Sequence, residues 1–488
     1  MDKLNRGKRA YSVFLVCATM AIALQAQTFI TLQSFDHTDG KYPDAGLVQA
    51  TDGNLYGTTY GGGARGFGVV FKITPSGMLT VVYSFCSKTG CKDGAGPNAA
   101  LVQATDGNFY GTTTYGGAND GGEVFKITPS GMQTVVYNFC SKTSCADGRN
   151  PYAALVQATD GSFYGTTVSG GAKSVCVGGC GTVFKITPSG TLTTLHNFDS
   201  TDGKNPYAGL VQATDGNFYG TTFYGGAHRE GEVFKITPSG MLTVLYSFCS
   251  IRYCPDGFNP YAGLVQATDG NFYGTTLYGG NNDVCGSYRC GTVFKITPSG
   301  MRTTLYNFCS KSGCTDGHGP YAGLVQGTDG SFYGTTVVGG TGSACQFGCG
   351  VVFKVAPSGT LTTLHSFDKT DGFNPYAGLA QDTNGKFYGT AYGGRDFNDG
   401  TVFSLSVGLG PFVETQPTSG KVGAAVKILG TNLTGATSVT FNGTSAVFKV
   451  VSSSEITTSV PAGATTGKVK VVTPHGMLSS NVPFRVLP

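Results

Sequence analysis

The chain has 488 residues, of which 77 are glycine, and its formal net charge is +4. The glycines recur at fixed offsets without a Gly-X-Y period, so a collagen-like fibre is excluded. The basic residues Lys3, Arg6, Lys8 and Arg9 lie at the extreme N-terminus, which leaves the rest of the chain nearly neutral. A nearly neutral chain lacks the basic surface that nucleic-acid binding requires, and we expect no nucleic-acid partner.

Residues 1–26 have the pattern of a secretory signal peptide. A basic start is followed by an apolar run from Tyr11 to Leu24, and Ala23 and Ala26 are alternative cleavage positions. The apolar run is shorter than the roughly 20 residues that a membrane span needs. The pattern predicts a secreted or cell-surface protein without a transmembrane segment in the mature chain.

One motif organises residues 27–407. The stretch from Ala100 to Thr113, Ala-Leu-Val-Gln-Ala-Thr-Asp-Gly-Asn-Phe-Tyr-Gly-Thr-Thr, recurs seven times with a spacing of 54 to 60 residues. Regular spacing of this length is typical of repeat folds. The Asp-Gly or Asn-Gly step of the motif falls at Asp52, Asp106, Asp160, Asp215, Asp269, Asp329 and Asn384.

Each repeat predicts four short strands. In the second repeat the strands are expected at 101–104, 109–113, 123–128 and 133–139. The Asp-Gly step indicates a two-residue hairpin between the first two strands. The sequence Thr-Pro-Ser-Gly at 128–131 fits a turn with proline second and glycine fourth.

The two ends of the repeat region complement each other. Residues 28–35 match the fourth strand of a repeat, whereas the last repeat stops after its third strand at 401–405. An N-terminal strand that completes the last repeat would close a ring and remove exposed sheet edges. The sequence therefore predicts an all-β fold in which residues 27–407 form a seven-bladed β-propeller.

The repeat resembles a bacterial tandem-repeat family, Gloeo_Verruco (GloVer). The resemblance rests on Leu101 to Thr113, the Gly-Gly that follows and Val124 to Gly131, and it extends through all seven copies. More loosely, the repeat is similar to the sensor propellers of two-component regulators, which usually have Trp in place of Tyr110. The resemblance implies an exported or surface-displayed bacterial protein, and it brings no assigned activity and no functional residue.

The period ends at residue 407, and Gly-Leu-Gly-Pro at 408–411 resembles a linker. Spaced short strands over residues 412–488 predict a small β-sandwich. This segment resembles an IPT/TIG domain, an immunoglobulin-like module, at Pro417 to Gly420, Val426 to Leu433 and Val439 to Gly443. In exported bacterial proteins, the resemblance implies a spacer or a module associated with carbohydrate or protein.

Cysteine spacing supports export independently of the signal peptide. An even number of cysteines in close pairs predicts disulfides formed in an oxidising compartment. Zinc is the alternative, but its usual spacing is Cys-x-x-Cys, and four ligands would have to converge from different repeats. The expected disulfides join Cys86 with Cys91, Cys140 with Cys145, Cys176 with Cys180, Cys249 with Cys254, Cys285 with Cys290, Cys309 with Cys314 and Cys345 with Cys349.

The loops of variable length share one face of the propeller, because the two tight turns of each repeat meet at the opposite end. Variable loops on a rigid scaffold carry binding in many proteins, so we place the binding face there. Solvated loop charge explains the same residues without a site. The candidate binding residues are the ones that differ between blades: Arg65, Asp120, Lys173, His228, Arg229, Glu230, Asp283, Arg289, Arg395, Asp396 and Asp399.

Aspartates recur before glycine in the loops that lead into each repeat: Asp39, Asp93, Asp147, Asp202, Asp256, Asp316 and Asp371. One interpretation is a ring of carboxylates that binds a cation or sugar hydroxyls. The other is a set of turns in which each aspartate accepts hydrogen bonds from its own backbone. Three pairs of aspartates could hold Ca²⁺ only with further oxygen ligands, namely Asp36/Asp39, Asp199/Asp202 and Asp368/Asp371. We expect no cofactor, with calcium as the alternative.

The repeated Tyr and Phe are assigned to blade cores, and the six lysines from Lys72 to Lys354 to solvated strands.

These features predict an exported, non-enzymatic and monomeric protein that binds polysaccharide or another surface protein. No catalytic residue and no metal site are expected. A glycan hydrolase or lyase is the first alternative; it would need carboxylates about 5–10 Å apart at the ring centre. His228 and Glu230 could act as its acid–base pair. A structural surface spacer is the second alternative, and it would need no concave site.

Overall fold

The computed structural model describes residues 27–172, 175–286, 290–394 and 397–488. The predicted signal peptide at 1–26 lies outside the described residues. Within them the chain is all β, without an α-helix, and three 3-10 turns lie in cysteine loops: Thr89–Cys91, Thr143–Cys145 and Ser312–Cys314. None of the helical segments in these ranges is long and apolar enough to cross a membrane.

Seven four-stranded antiparallel sheets form the blades. Blade 1 consists of β2 (Val48–Gln49), β3 (Leu55–Thr59), β4 (Val69–Ile73) and β5 (Leu79–Ser84), and blade 2 of β6 (Val102–Gln103), β7 (Phe109–Thr113), β8 (Glu123–Ile127) and β9 (Gln133–Asn138). Blade 3 consists of β10 (Val156–Gln157), β11 (Phe163–Thr167), β12 (Thr182–Ile186) and β13 (Leu192–Asn197), and blade 4 of β14 (Val211–Gln212), β15 (Phe218–Thr222), β16 (Glu232–Ile236) and β17 (Leu242–Ser247). Blade 5 consists of β18 (Val265–Gln266), β19 (Phe272–Thr276), β20 (Thr292–Ile296) and β21 (Arg302–Asn307), and blade 6 of β22 (Val325–Gln326), β23 (Phe332–Thr336), β24 (Val351–Val355) and β25 (Leu361–Ser366). Blade 7 consists of β26 (Ala380–Gln381), β27 (Phe387–Ala391), β28 (Thr401–Ser406) and the N-terminal β1 (Thr28–Ser34).

The N-terminal strand completes the last blade, as predicted. The strand order in that sheet is β1-β28-β27-β26. Strand β1 runs antiparallel to β28, from the Thr28/Ser406 pair to the Ser34/Thr401 pair. The predicted propeller is therefore confirmed, and the strands of blade 2 differ from the expected ones by at most two residues.

The Asp-Gly turn differs from the two-residue hairpin that the sequence predicts. Ala104 N–H donates to Asn108 O at 2.8 Å, and Gly107 N–H donates to Ala104 O at 2.8 Å, so the loop contains three residues. Gly107 closes it with a φ of 84°, a left-handed conformation that favours glycine. This is the three-residue hairpin loop with a bulged glycine.

Glutamine side chains join each blade to its neighbour. In every case the glutamine Oε1 accepts a hydrogen bond, 2.8 to 3.1 Å long, from a threonine N–H in the adjacent blade. The seventh bond joins the first blade to the last, so the ring of contacts is complete. The pairs are Gln103/Thr51, Gln157/Thr105, Gln212/Thr159, Gln266/Thr214, Gln326/Thr268, Gln381/Thr328 and Gln49/Thr383.

Aromatic stacking fills the space between blades. Tyr110 packs against Phe163 of the next blade with ring centroids 4.2 Å apart, and six junctions in all have this tyrosine–phenylalanine contact. At the seventh junction Tyr388 packs in one cluster with Leu55, which replaces phenylalanine. These tyrosine rings are at most 1% exposed, so the motif tyrosines belong to the core, as expected.

The C-terminal segment forms a separate β-sandwich. Its strands are β29 (Glu414–Gln416), β30 (Ser419–Gly420), β31 (Ala425–Leu429), β32 (Ser438–Phe441), β33 (Thr444–Ser445), β34 (Phe448–Val450), β35 (Glu455–Ser459), β36 (Val469–Thr473), β37 (Gly476–Ser479) and β38 (Arg485–Val486). They form sheets β29-β31-β35-β34 and β33-β32-β36-β37, and β30 pairs with β38. Inward-facing residues such as Ile428, Phe441 and Val471 make its core.

The sandwich rests on the tight-turn face of the propeller. Ser454 Oγ donates to Thr51 O at 2.7 Å. Phe412 N–H donates to Thr383 O at 2.9 Å. Thr51 and Thr383 belong to the Asp-Gly and Asn-Gly turns of the first and last blades, so the sandwich leaves the variable-loop face uncovered.

Strand β1 should stabilise the ring through one side of the strand only. Phe29 packs against His365, Phe367 and Phe403, whereas the neighbouring Ile30 is 48% exposed. We expect Phe29→Ala to lower the free energy of unfolding by about 2–3 kcal/mol and Ile30→Ala by less than about 0.5 kcal/mol. Urea denaturation measures both values, and equal losses would contradict ring closure through β1.

Candidate functional site

A cavity of about 500 Å³ lies at the centre of the ring. Its wall is built from the segments that lead into the innermost strands, each with the sequence Pro-X-Ala-Gly or Pro-X-Ala-Ala. These segments follow the variable loops, so the cavity lies at that end of the sheets. The X residues, in blade order, are Asp44, Asn98, Tyr152, Tyr207, Tyr261, Tyr321 and Tyr376.

Buried threonines hold this wall in place. Thr221 Oγ1 donates to Ala262 O at 3.0 Å, and Ala262 directly follows the wall residue Tyr261. The same bond recurs between all other neighbouring blades; at the junction of the last and first blades Thr390 Oγ1 lies 3.3 Å from Ala45 O and 2.9 Å from Pro43 O. Because each bond crosses a blade junction, the propeller scaffold fixes the position of every X residue.

The tyrosines of blades 3 to 7 form one continuous arc. Tyr207 stacks on Tyr261 with ring centroids 4.9 Å apart, and Tyr261 contacts Tyr321 at 3.8 Å. Tyr152 lies at one end of the arc, and Tyr376 leads at the other end to Tyr392. Burial raises the pKa of the Tyr152 hydroxyl to about 12, so it remains a hydrogen-bond donor at neutral pH.

Blades 1 and 2 break the arc with two small polar residues. The Asn98 Nδ2 donates to Thr114 Oγ1 at 2.9 Å. The Asp44 Oδ1 is buried and has no hydrogen-bond partner among the described residues. Burial raises the pKa of the Asp44 carboxyl from its ordinary value of 3.8 to about 7. The cavity therefore combines an aromatic wall with one carboxylate that no neighbouring group neutralises.

The loop residues predicted from the sequence lie elsewhere. Arg65, Asp120, His228, Arg229 and Asp283 are exposed and Glu230 is half-buried, and none of these six residues lines the cavity. Asp399 is buried and pairs with Lys41 at 3.0 Å. Lys173, Arg289, Arg395 and Asp396 lie outside the described residues. Binding by these loop residues stays a prediction.

The repeated loop aspartates stabilise their own loops. Asp93 Oδ2 accepts hydrogen bonds from the Tyr83 hydroxyl at 2.6 Å and from Ser87 N–H at 2.8 Å. In two of the three entry loops without cysteines a histidine replaces the tyrosine, as in the 2.8 Å contact between His196 Nε2 and Asp202 Oδ2, and in the third the residue is Gln33. These contacts match the turn interpretation of the aspartates, and calcium binding stays untested.

All seven cysteine pairs expected from the spacing are joined as disulfides in the structure. Each bond closes a short loop on the variable-loop face, three within a blade and four between neighbouring blades, so the pairs stiffen that face. The bonds join Cys86 to Cys91, Cys140 to Cys145, Cys176 to Cys180, Cys249 to Cys254, Cys285 to Cys290, Cys309 to Cys314 and Cys345 to Cys349.

The burial of the paired cysteines differs from loop to loop. Cys180 and Cys349 are buried at about 1% and 0% exposure, because each directly precedes the glycine that leads into the third strand of its blade. Cys254 is half-buried and lies in the loop between blades 4 and 5, with a left-handed φ of 51°. The spacing predicts the pairing of these three residues but not their burial, which depends on where the loop meets the sheet.

Zinc, the alternative reading of the cysteines, finds no support in their arrangement. Within the described ranges, one group of three possible metal ligands lies within 4.8 Å, namely Cys285, Cys290 and Cys309. All three are disulfide-bonded, so they offer no thiolate to a metal.

One assignment made from the sequence needs correction. The repeated tyrosines are not all core, because those that follow proline line the cavity. The strand lysines are partly exposed, as expected, and they form surface ion pairs: Lys185 Nζ lies 2.7 Å from Asp160 Oδ2 in the Asp-Gly turn of the same blade. The same pairing joins Lys126/Asp106, Lys235/Asp215, Lys295/Asp269 and Lys354/Asp329.

Family models match almost the whole described chain. The Gloeobacter/Verrucomicrobia repeat matches residues 18–175, 91–285 and 253–446, and the IPT/TIG domain matches residues 412–486. The chain therefore belongs to the Gloeobacter/Verrucomicrobia repeat family and carries an IPT/TIG domain, as the sequence resemblance predicted. No curated protein matches the sequence.

Solved structures share the fold at low identity. A fungal alcohol oxidase of the AA5 family, in complex with copper, is 12% identical with a TM-score of 0.52, over 94% of this chain and 99% of that chain. Extracellular domains of two proteins described as hybrid two-component systems from B. thetaiotaomicron are each 12% identical. Their TM-scores are 0.48 and 0.49, over 94% and 95% of this chain and 58% and 59% of those chains. At such identities the similarity concerns the fold alone.

The unpaired Asp44 should make stability depend on pH. Because its folded-state pKa is raised to about 7, ionising Asp44 destabilises the fold as pH rises from about 4 through 7. We expect Asp44→Asn to raise the free energy of unfolding by about 2 kcal/mol at pH 8 and to leave it unchanged at pH 4. Urea denaturation at the two pH values tests this, with the exposed Asp120→Asn as the control that should change neither value. Equal stability of Asp44→Asn and the unchanged protein at pH 8 would show that Asp44 is not desolvated.

Proposed function

We propose that this protein is an exported binding protein that holds one unit of an extracellular polysaccharide in its central cavity. The observation that carries the proposal is the tyrosine arc, which lines a cavity at the face that carries the variable loops. A concave aromatic surface was the feature expected of a binding module and not of a spacer.

The size and chemistry of the cavity support a ligand of this kind. A volume of about 500 Å³ lies in the range of small-molecule sites, so it suits one unit of a chain better than the surface of a folded protein. Tyrosine offers an apolar ring face and a hydroxyl in the same side chain. A sugar ring presents the complementary pair, C–H groups on its faces and hydroxyls at its edge.

The placement of the two domains supports access to this cavity. The IPT/TIG domain contacts the tight turns at Thr51 and Thr383, on the far face of the propeller. The cavity therefore stays accessible to a long polymer. The seven disulfides support an extracytoplasmic location, because such bonds persist in oxidising compartments.

The composition of the wall favours binding over hydrolysis. A glycosidase uses two carboxyl groups on either side of the scissile bond. Among the described residues that line the cavity, Asp44 is the one carboxylate. The proposed acid–base pair, His228 and Glu230, lies in a loop outside the wall.

Substitution in the arc tests the proposal. Tyr261 contacts Tyr152, Tyr207 and Tyr321, so Tyr261→Ala removes the centre of the aromatic wall. We expect this variant to lose at least about tenfold in affinity for the polysaccharide that the unchanged protein retains, while Tyr261→Phe keeps most of the affinity. Pull-down against a panel of bacterial and plant polysaccharides measures the affinities.

The double variant His228→Ala/Glu230→Ala is the matched control and should bind normally, because neither residue lines the cavity. Reducing ends are measured in the same samples, and the assay is repeated with a chelator. Release of sugar ends that disappears in the double variant would identify an enzyme. Loss of binding with the chelator would indicate calcium, and absence of all polysaccharide binding would overturn the proposal.

A further inference from the structure

The cavity holds one acidic side chain and no basic one among its described lining residues. The titratable groups within electrostatic reach of Asp44 are the hydroxyls of Tyr60, Tyr152, Tyr321, Tyr376 and Tyr392. A tyrosine hydroxyl carries no positive charge, so none of these groups neutralises the carboxylate.

The nearest lysine in sequence is already engaged. Lys41 Nζ lies 3.0 Å from Asp399 Oδ1 and 4.6 Å from the centre of the Tyr42 ring. Asp399 is only 4% exposed, so the carboxylate of this ion pair is buried, whereas the Lys41 side chain is half-buried. Lys41 therefore pairs with Asp399 of blade 7 and not with Asp44. The Oδ1 atom of Asp44 is buried without a hydrogen-bond partner among the described residues.

Asp44 is half-buried, and a carboxylate with one buried oxygen that lacks a partner is unfavourable. A ligand that supplies both charge and hydrogen-bond donors removes that cost. The faces of tyrosine rings attract cations by the same electrostatics. A neutral hydroxyl could satisfy the hydrogen bond but would leave the charge uncompensated. The wall thus has the two features of a site for an organic cation, an aromatic surround and one counter-ion.

We propose that the unit bound in the central cavity carries a positively charged nitrogen, such as the protonated amine of an N-deacetylated amino sugar, which pairs with Asp44 between the tyrosine faces. This inference rests on the proposed function and narrows it to a cationic ligand. Asn98, at the equivalent position of blade 2, shows that the scaffold accepts an uncharged side chain of the same shape. Asp44→Asn therefore removes the charge and keeps the fold.

Ligand charge is tested with a matched pair of small molecules. Choline is a permanent cation, and 3,3-dimethyl-1-butanol has nearly the same shape without the charge. In calorimetric titrations at pH 7.5 we expect choline to bind at least about tenfold more tightly than the alcohol, and Asp44→Asn to abolish that difference. Glu232→Gln is the control, because Glu232 is a buried carboxyl that does not line the cavity. It should bind choline as the unchanged protein does.

The pH profile provides a readout that a merely structural role of Asp44 would not change. Burial raises the pKa of Asp44 to about 7, so the carboxylate is protonated as pH falls below 7. Because choline keeps its charge, its affinity should fall by about tenfold or more between pH 8 and pH 5.5, and this decline should be absent in Asp44→Asn. Equal affinities for choline and its neutral analogue, or a flat profile, would overturn the inference.

The source of the cation is settled with three further ligands: an N-deacetylated amino-sugar oligomer, its N-acetylated counterpart and a lysine-containing peptide. Preference for the deacetylated oligomer supports the proposal as stated. Preference for the peptide would indicate that the ligand is a basic protein segment and not a glycan, and would overturn the proposal. Binding of the neutral N-acetylated oligomer alone would refute the charge requirement and leave the proposed function intact. Binding of none of them at the cavity would also refute the cationic ligand, and the polysaccharide panel would then decide the proposed function.

Discussion

The structure depends on the hydrogen bonds that cross from one blade to the next. Each blade is a separate four-stranded sheet, so no backbone ladder holds the ring together. Instead a glutamine Oε1 accepts a bond from a threonine N–H at every junction, and the bond between Gln49 and Thr383 completes the set. The seven bonds are exposed or half-buried, so each contributes about 0.5–1.5 kcal/mol, and a register error in one blade breaks the bonds at two junctions. This requirement explains why the motif is repeated so strictly.

A second set of bonds between blades positions the functional wall. Threonines such as Thr221 hold the backbone next to each wall residue from the neighbouring blade, which makes that backbone uniform and leaves its side chains free to differ. The wall residue after proline is tyrosine in five blades, and it is Asp44 and Asn98 in the other two. A rigid, repeated backbone that carries an unequal set of side chains is a common way to build a specific site on a symmetric fold.

Much of the fold follows from the sequence alone. The period, the alternation within strands and the displaced strand at residues 28–35 are sufficient to predict seven blades, their closure and the cysteine pairs. The site is harder to predict, because a tyrosine after proline and a tyrosine after phenylalanine look alike in a repeat. One is Tyr261 in the cavity wall and the other is Tyr273 in the core, and only the packing of the blades separates them. The available signal was the replacement of this tyrosine by Asp44 and Asn98 in the first two blades, at a position outside the loops of variable length.

The central claim is that ligand binds at the ring centre rather than on the surrounding loops. The protein has no tryptophan, so a Tyr207→Trp variant would carry a single tryptophan, placed in the cavity wall. Its fluorescence, titrated with the polysaccharide that the unchanged protein retains, is the most direct measurement. The account predicts a saturable change in emission with the same midpoint as binding. Binding that saturates without any change in tryptophan emission would place the ligand elsewhere on the protein and contradict it.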